Sequence, residues 1–505
     1  MYLSLMLAMT PETYVQREKD WRCGPVVYQV FVDRFAPSAD LERKKTLYSD
    51  PRVIVKWSEL PKPGRANPEL GSWTHELEFW GGDLPSLQTK LGYIDDLGAD
   101  VLYLNPIFEA FTNHKYDATD YMKVDPQYGS EKDLQSLTKD LHTRKMKLVL
   151  DGVFNHLGRR NTLFLQAQKD PKSPYRSWFT FDQSFPWGYK AWAGVANLPE
   201  IKLETAAARE YLWEGKDSVV QHYLRQGVDG WRLDVAFELG PNYLSDLNKA
   251  AKKAKKDAWV VGEISGYPAD WFPAVDGVFN FTPSAILQNC LSGELSGGRA
   301  TQQLADMVTD AGIENLLRSW TLVDNHDTPR LADVLSDWKK RRLAFAIQFL
   351  TPGSPVIYYG SELGMTGPGD PANRAPMRWD LVKNENENLA WMKQLVDLRK
   401  KHRSLRIGDF KAMNTEKLIG FLRHTDKLKD SVIVLINPTK DKVVETMSIR
   451  IGKLLSWGRM QDALSKREYR CINGMMRAEL EPYSVQILAP NLEAEGGFDP
   501  YKRVE

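Results

Sequence analysis

The sequence predicts an α/β protein: a (β/α)8 barrel with an inserted segment after its third strand, followed by a small antiparallel β-domain. Three observations carry this. Short runs rich in β-branched and aromatic residues alternate with longer amphipathic stretches, the pattern of βα units around a parallel sheet. Eight such runs can be counted, which fits a closed barrel better than an open sheet. Beyond residue 402 the alternation stops, and strand-like runs follow one another with turns and charges between them but no helix.

In order, the eight runs are Val26–Asp33, Asp100–Asn105, Lys147–Asp151, Val228–Asp234, Ala258–Glu263, Gly277–Phe281, Ser319–Asp324 and Pro355–Tyr359. Helical stretches such as Asp133–Lys145, Ala206–Gln226 and Thr301–Ala311 fall between them. Two connections are long. Ala36–Phe79 is Pro-rich and follows the first run. Asn155–Leu203 follows the third and carries Trp178, Phe179, Phe185, Trp187, Tyr189 and Trp192, too many aromatics for a disordered segment. After the helical Asn388–His402, the runs Lys417–Leu422, Ser431–Ile436 and Ser484–Leu488 read as strands. The expected division is a barrel over 1–402 enclosing an inserted domain at 155–203, a β-sandwich over 403–492 and a polar tail at 493–505.

Bulk properties narrow the function. The chain has 505 residues, with Lys+Arg 67 against Asp+Glu 66, and a net charge of only +1 does not draw it to nucleic acid or an anionic membrane. Cys23, Cys290 and Cys471 form neither a disulfide framework nor a metal knuckle. Met1–Thr10 is mildly apolar but has no basic n-region and no small-residue cleavage site. No apolar run approaches the roughly 20 residues of a membrane helix. These features predict a soluble, cytoplasmic protein. The 16 Trp supply either a large core or flat platforms for ligand rings.

In a barrel, residues at the C-terminal ends of the strands converge on one mouth. The third run ends in Asp151, with Asn155 and His156 just beyond. The fourth ends in Arg232-Leu233-Asp234 and the fifth in Glu263, and the seventh runs into Asn325-His326-Asp327. A single strand-end carboxylate is commonly a helix cap. Four at one mouth, interleaved with Arg and His, are a reactive cluster. Clustered carboxylates repel, so one holds a proton while others ionise. Arg232, two residues before Asp234, shares its strand face and favours its ionised form. One ionised and one protonated carboxyl are what glycoside hydrolysis requires, with retention at a separation of about 5 Å and inversion at a wider one. Metal-dependent hydrolysis is the rival, but H-x-H and H-E-x-x-H spacings are missing.

The motifs themselves resemble the α-amylase family of glycoside hydrolases, family thirteen. DGVFNH (Asp151–His156), GWRLDVAFE (Gly230–Glu238), VGEI (Val261–Ile264) and LVDNHD (Leu322–Asp327) match its four signatures in order, with FWGGDL, HKYDATDY and GSPVIYYGSELG as supporting stretches. GDPANR, YRSWFTF and LPEIK resemble the neopullulanase, cyclomaltodextrinase and maltogenic amylase branch, here without its usual N-terminal domain.

The resemblance implies roles. Asp234 would be the nucleophile, Glu263 the acid/base, and Asp327 the carboxylate that grips sugar hydroxyls. Arg232 would support Asp234, and His156, His326 and Tyr116 would contact the sugar. Asp370 and Arg374 would do so from the GDPANR loop, while Asp151 and Asn155 would organise the site. It also implies a retaining hydrolase of α-1,4 glucosidic bonds in maltooligosaccharides, cyclodextrins, pullulan or starch, with α-1,6 cleavage open. No cofactor is implied. Structural calcium is not expected, because the calcium-binding loop is reduced to APSADLERK (Ala36–Lys44) and Glu238 replaces a calcium-linked His. Ser265 stands where the branch generally has Trp, and Phe237 and Lys202 each stand where Asn is common. The same three carboxylates would serve a transglycosylase or a trehalose-forming isomerase. A non-catalytic amylase-like binding protein would lose those carboxylates and gain a membrane helix. Monomer and homodimer remain open.

Overall fold

The computed structural model describes residues 10–494 and 498–504. Eight parallel strands close a barrel: β1 (Val27–Val30), β2 (Val101–Leu104), β3 (Lys147–Gly152), β4 (Gly230–Leu233), β5 (Trp259–Gly262), β6 (Gly277–Asn280), β7 (Trp320–Thr321) and β8 (Ser354–Tyr358). Each pairs with its successor, and β8 returns to β1 through Val27–Val356 and its neighbours. All eight predicted runs hold strands; six are shorter than their runs because the flanking residues leave the ladder as the chain turns toward a helix, whereas β3 extends one residue further, to Gly152, and β8 is shifted one residue back, to Ser354.

Side chains alternate across each strand. Val27, Val101, Tyr103, Val149, Trp259, Val261, Phe279, Trp320 and Val356 form one buried cluster that fills the barrel. Tyr28, Leu102, Leu104, Leu148, Leu150, Trp231 and Leu233 belong to the larger core beneath the helices. The interior is unusually aromatic. Trp320 lies 5.0 Å from Tyr103, 5.7 Å from Trp259 and 5.7 Å from Phe279 between ring centroids. Such bulk needs a small neighbour. Gly230 provides it, since a Cβ there would sit 2.4 Å from the Trp259 carbonyl oxygen.

The predicted helix over Ala206–Gln226 is broken in two. Ala206–Arg209 opens into a wide π-helical turn at Glu210–Glu214, and Val219–Arg225 follows. The break is satisfied locally, because Ser218 Oγ and Gln221 Nε2 both donate to the freed Trp213 carbonyl at 3.1 Å. The other two stretches lie on helices Glu131–Thr143 and Gly297–Ala311.

Both long connections are ordered. The first forms a short hairpin, Ala66–Asn67 with Ser72–Trp73, and the turn Thr74–Leu77. The second is cinched at its neck, where Ile201 N–H donates to the Asn155 carbonyl at 2.9 Å. Its aromatics make a small core in which Phe164 meets Tyr189 at 4.8 Å and Phe179 at 5.0 Å.

The C-terminal region contains a six-stranded antiparallel sheet facing a two-stranded one. Ile433 and Leu435 point between the sheets with Met447, Met476 and Leu488. Val434 and Ile436, one residue out of phase, join the barrel's helical core. Close approach to the barrel relies on Gly297, where a Cβ would meet the Lys417 carbonyl at 2.1 Å. The three cysteines are buried and unpaired.

Trp320 holds the inner aromatic layer together. Trp320→Ala is expected to lower the unfolding free energy by about 3–5 kcal/mol, read from the shift of a guanidinium unfolding transition. An unchanged midpoint would show that the layer contributes nothing.

Candidate active site

The alternation that fills the barrel also builds its mouth. Val149 points inward, so Asp151 does too; Gly230 and Arg232 point inward, and Asp234 follows; Trp259 and Val261 point inward, and Glu263 follows. At this end of each strand the inward position changes from apolar to charged.

Arg232 is the hub. It is fully buried, and its Nη1 donates to Asp151 Oδ1 at 2.7 Å and to Asp234 Oδ1 at 2.9 Å. Its Nη2 lies 2.8 Å from Glu263 Oε1, an ion pair without hydrogen-bond alignment. Two neighbouring nitrogens of one guanidinium thus bridge the two carboxylates that flank the cavity. Glu263 Oε2 also accepts the Val235 N–H at 3.0 Å. That N–H is aimed by a left-handed backbone at Val235, φ +48°, which a β-branched residue rarely adopts.

Beneath this lies a polar network. Asp151 Oδ2 accepts from Tyr103 at 2.6 Å and from Tyr116 at 3.0 Å. Asn105 Nδ2 donates to Tyr116 Oη at 3.0 Å, and Gln29 Nε2 donates to Asn105 Oδ1 at 3.1 Å. Gln29 also donates to His326 Nδ1 at 2.9 Å, which leaves the ring proton on Nε2. That Nε2 sits 2.6 Å from Tyr116 Oη and 3.0 Å from Asp327 Oδ2. Arg374 donates to Asp327 Oδ1 at 3.0 Å and pairs with Asp370 Oδ2 at 3.2 Å.

Charge is distributed unevenly. Burial raises the Asp234 carboxyl well above the usual range. Arg232 opposes the rise, while Glu263, Asp151 and Asp327 add to it. Burial likewise raises Asp151 against the pull of Arg232. Asp327 is held below the ordinary range because His326 and Arg374 outweigh its burial. The cluster therefore keeps a proton in which Asp234 shares, and Asp327 carries a fixed negative charge. His156 is pushed down to about 3 by burial and is neutral. Both its ring nitrogens lack a protein partner among the described residues, and its ring stacks on Trp192 at 5.3 Å.

All the predicted site residues line this one mouth except Asn155, whose backbone carbonyl closes the neck of the insertion and whose Nδ2 reaches Glu238 at 3.3 Å. Sequence reasoning missed Gln29, Asn105 and Tyr103, which hold His326 and Asp151. The available signal was a polar residue continuing the inward phase of an apolar strand. It also missed Glu76, whose carboxyl burial pushes up to about 7. Among the described residues there is no group of three or more His, Cys, Asp or Glu arranged to hold a metal ion.

A closed eight-stranded barrel whose mouth gathers carboxylates around one arginine, with neutral imidazole and phenol beside them, defines a glycoside hydrolase site. The model of the α-amylase catalytic domain matches residues 29–406. The chain belongs to the α-amylase family. It is 31% identical over 489 residues to neopullulanase 2 of Thermoactinomyces vulgaris, covering 93% of this chain and 78% of that one. It is 32% identical over 448 residues to a cyclomaltodextrinase of a Bacillus species, covering 86% and 75%. Among solved structures it resembles the cyclic α-maltosyl-(1→6)-maltose hydrolase of Arthrobacter globiformis, with a TM-score of 0.78, 26% identity, and coverage of 94% of this chain and 100% of that one.

The pH profile tests the shared proton. In the role of nucleophile that the family signature implies for it, Asp234 acts as the anion, so activity is expected to fall as pH drops through its raised value, with the acid limb of kcat/KM above the ordinary Asp value of about 3.9. Asp151→Asn removes one carboxylate that raises Asp234 and frees Arg232 for it, so the limb should move to lower pH. A limb that stays put or rises would contradict this electrostatic arrangement.

Proposed function

We propose that the protein is a retaining α-glucan hydrolase acting on α-1,4 bonds of maltooligosaccharides or related glucans. The observation that carries this is the guanidinium of Arg232 bridging Asp234 and Glu263 at 2.9 and 2.8 Å. Side-by-side carboxylates held by one cation suit direct attack on the sugar, for which about 5–5.5 Å is required, and leave little room for a water between them.

Asp234 attacks the anomeric carbon as Glu263 gives its proton to the glycosidic oxygen. The carbon–oxygen bond to the leaving sugar breaks, and a glycosyl ester to Asp234 forms. Glu263 then takes a proton from water, whose hydroxyl displaces Asp234 with overall retention. Asp327, fixed as an anion by His326 and Arg374, grips hydroxyls of the flattened sugar, and positive charge developing on the ring is stabilised by both free carboxylates. His156, neutral and unpartnered, is free to bond a sugar hydroxyl.

A second reading is transfer to another sugar rather than to water. Phe237 is 68% exposed three residues past Asp234 and lies 5.5 Å from the ring of Trp271, on the loop after Glu263. This aromatic pair, Phe237 exposed and Trp271 half-buried, is suited to stack an acceptor sugar on the leaving-group side.

Asp234→Asn should reduce kcat on maltotriose by at least about 10³-fold with the fold intact by circular dichroism. A fluorinated glucosyl inhibitor should label Asp234, located by peptide mass spectrometry. Product anomers read by NMR should be α at early times. Label on another residue, or β product, would overturn the mechanism.

A further inference from the structure

From the catalytic centre a row of rings leads outward. Tyr116 stacks on His326 at 5.6 Å with planes 3° apart, and His114 stacks on Tyr116 at 5.7 Å and 30°. His114 Nδ1 accepts the Tyr116 N–H at 3.1 Å, so its proton lies on Nε2, 3.8 Å from Glu76 Oε1. Burial keeps His114 neutral. The row thus ends on the first insertion, at the turn Thr74–Leu77.

That turn is fastened. Asn113 N–H donates to the Glu76 carbonyl, and Asn113 Nδ2 to the His75 and Glu78 carbonyls, all at 2.8 Å. Glu76 Oε2 accepts the Trp73 N–H at 2.9 Å. Trp73 is 50% exposed and lies over His75 at 6.0 Å between centroids.

The hairpin ahead of Trp73 is in turn fastened to the second insertion. Arg159 donates to the Glu69 carbonyl, and Arg160 Nη1 bridges the Leu70 carbonyl at 3.4 Å and Asn197 Oδ1 at 3.3 Å. At Gly71, φ +71°, a Cβ would come within 3.1 Å of Ala196 Cβ and Asn197 N, so the two insertions touch. They leave the barrel after different strands, β1 and β3, and meet on the same side of it.

Chemistry says which end they close. Glu263 delivers its proton to the leaving oxygen, so the departing sugar lies toward Phe237 and Trp271. The retained sugar and its chain extend the other way, past Asp327 and Arg374, along the row of rings. We propose that the joined insertions close this glycone end of the cleft, so that the enzyme removes a short sugar of one length from non-reducing ends. In this arrangement Trp73 stacks on the terminal sugar and Glu76 bonds its hydroxyls. The inference rests on the hydrolase reading above.

The test is the product pattern from maltoheptaose labelled at its reducing end, at early conversion, and the loss of iodine colour per reducing end released from amylose. The wild-type protein should give one short unlabelled product and a slow loss of colour. The double variant Arg159→Ala, Arg160→Ala, which unfastens the wall, should give a mixture of lengths and a faster loss of colour. Trp73→Ala should raise KM for maltotriose about three- to tenfold, with Trp73→Phe restoring most of it. A mixed ladder from the wild-type protein, or unchanged KM and product pattern in the Trp73 and arginine variants, overturns the proposal. Absence of any cleavage by the wild-type protein would instead sink the hydrolase reading.

Discussion

A single buried guanidinium carries the electrostatics of this molecule. Three carboxylates contact the fully buried Arg232, and in such a setting like charges cannot all remain ionised without a cation among them. Burying the arginine is itself costly, and the ion pairs offset that cost only because each carboxylate is also held by another donor or lies beside the open cavity. Tyr103 and Tyr116 serve Asp151, and the Val235 N–H serves Glu263. Asp234 has no such second donor among the described residues, and it is the carboxyl of the three whose proton affinity rises most clearly.

The arginine can stand there because of what lies below it. The aromatic layer of Tyr103, Trp259, Phe279 and Trp320 plugs the barrel, and Arg232 stacks over Phe279 at 5.3 Å. This floor excludes water from beneath the charges and fixes their height. It exists because Gly230 yields its space to Trp259. Packing at the centre of the barrel and reactivity at its mouth are thus successive layers of one stack, set by the two-residue period of the strands.

The insertions add what the barrel lacks. A bare barrel mouth is an open dish, and the row from His326 through Tyr116 and His114 to Glu76 gives it direction. The connection after β1 reads in sequence as a long, Pro-rich insertion and no more. Its role depends on Asn113 and on Arg159 and Arg160, which lie about 40 to 90 residues further along the chain.

The sequence alone carried the eight strands, the C-terminal sheet and every carboxylate of the cluster, because each rests on local information. Strand and helix periods repeat within a few residues, and strand ends of a barrel converge by topology. The signature motifs then assigned expected roles to Asp234, Glu263 and Asp327. The helix over Ala206–Gln226 misread as continuous shows the limit of that information, since its break is stabilised by Ser218 and Gln221 folding back on Trp213. The support of Gln29, Asn105 and Tyr103, the convergence of three carboxylates on Arg232 and the meeting of the two insertions became visible only in three dimensions. These are contacts between residues far apart in the chain, where distance and burial, not residue type, decide which groups share a proton and which end of the cleft is closed.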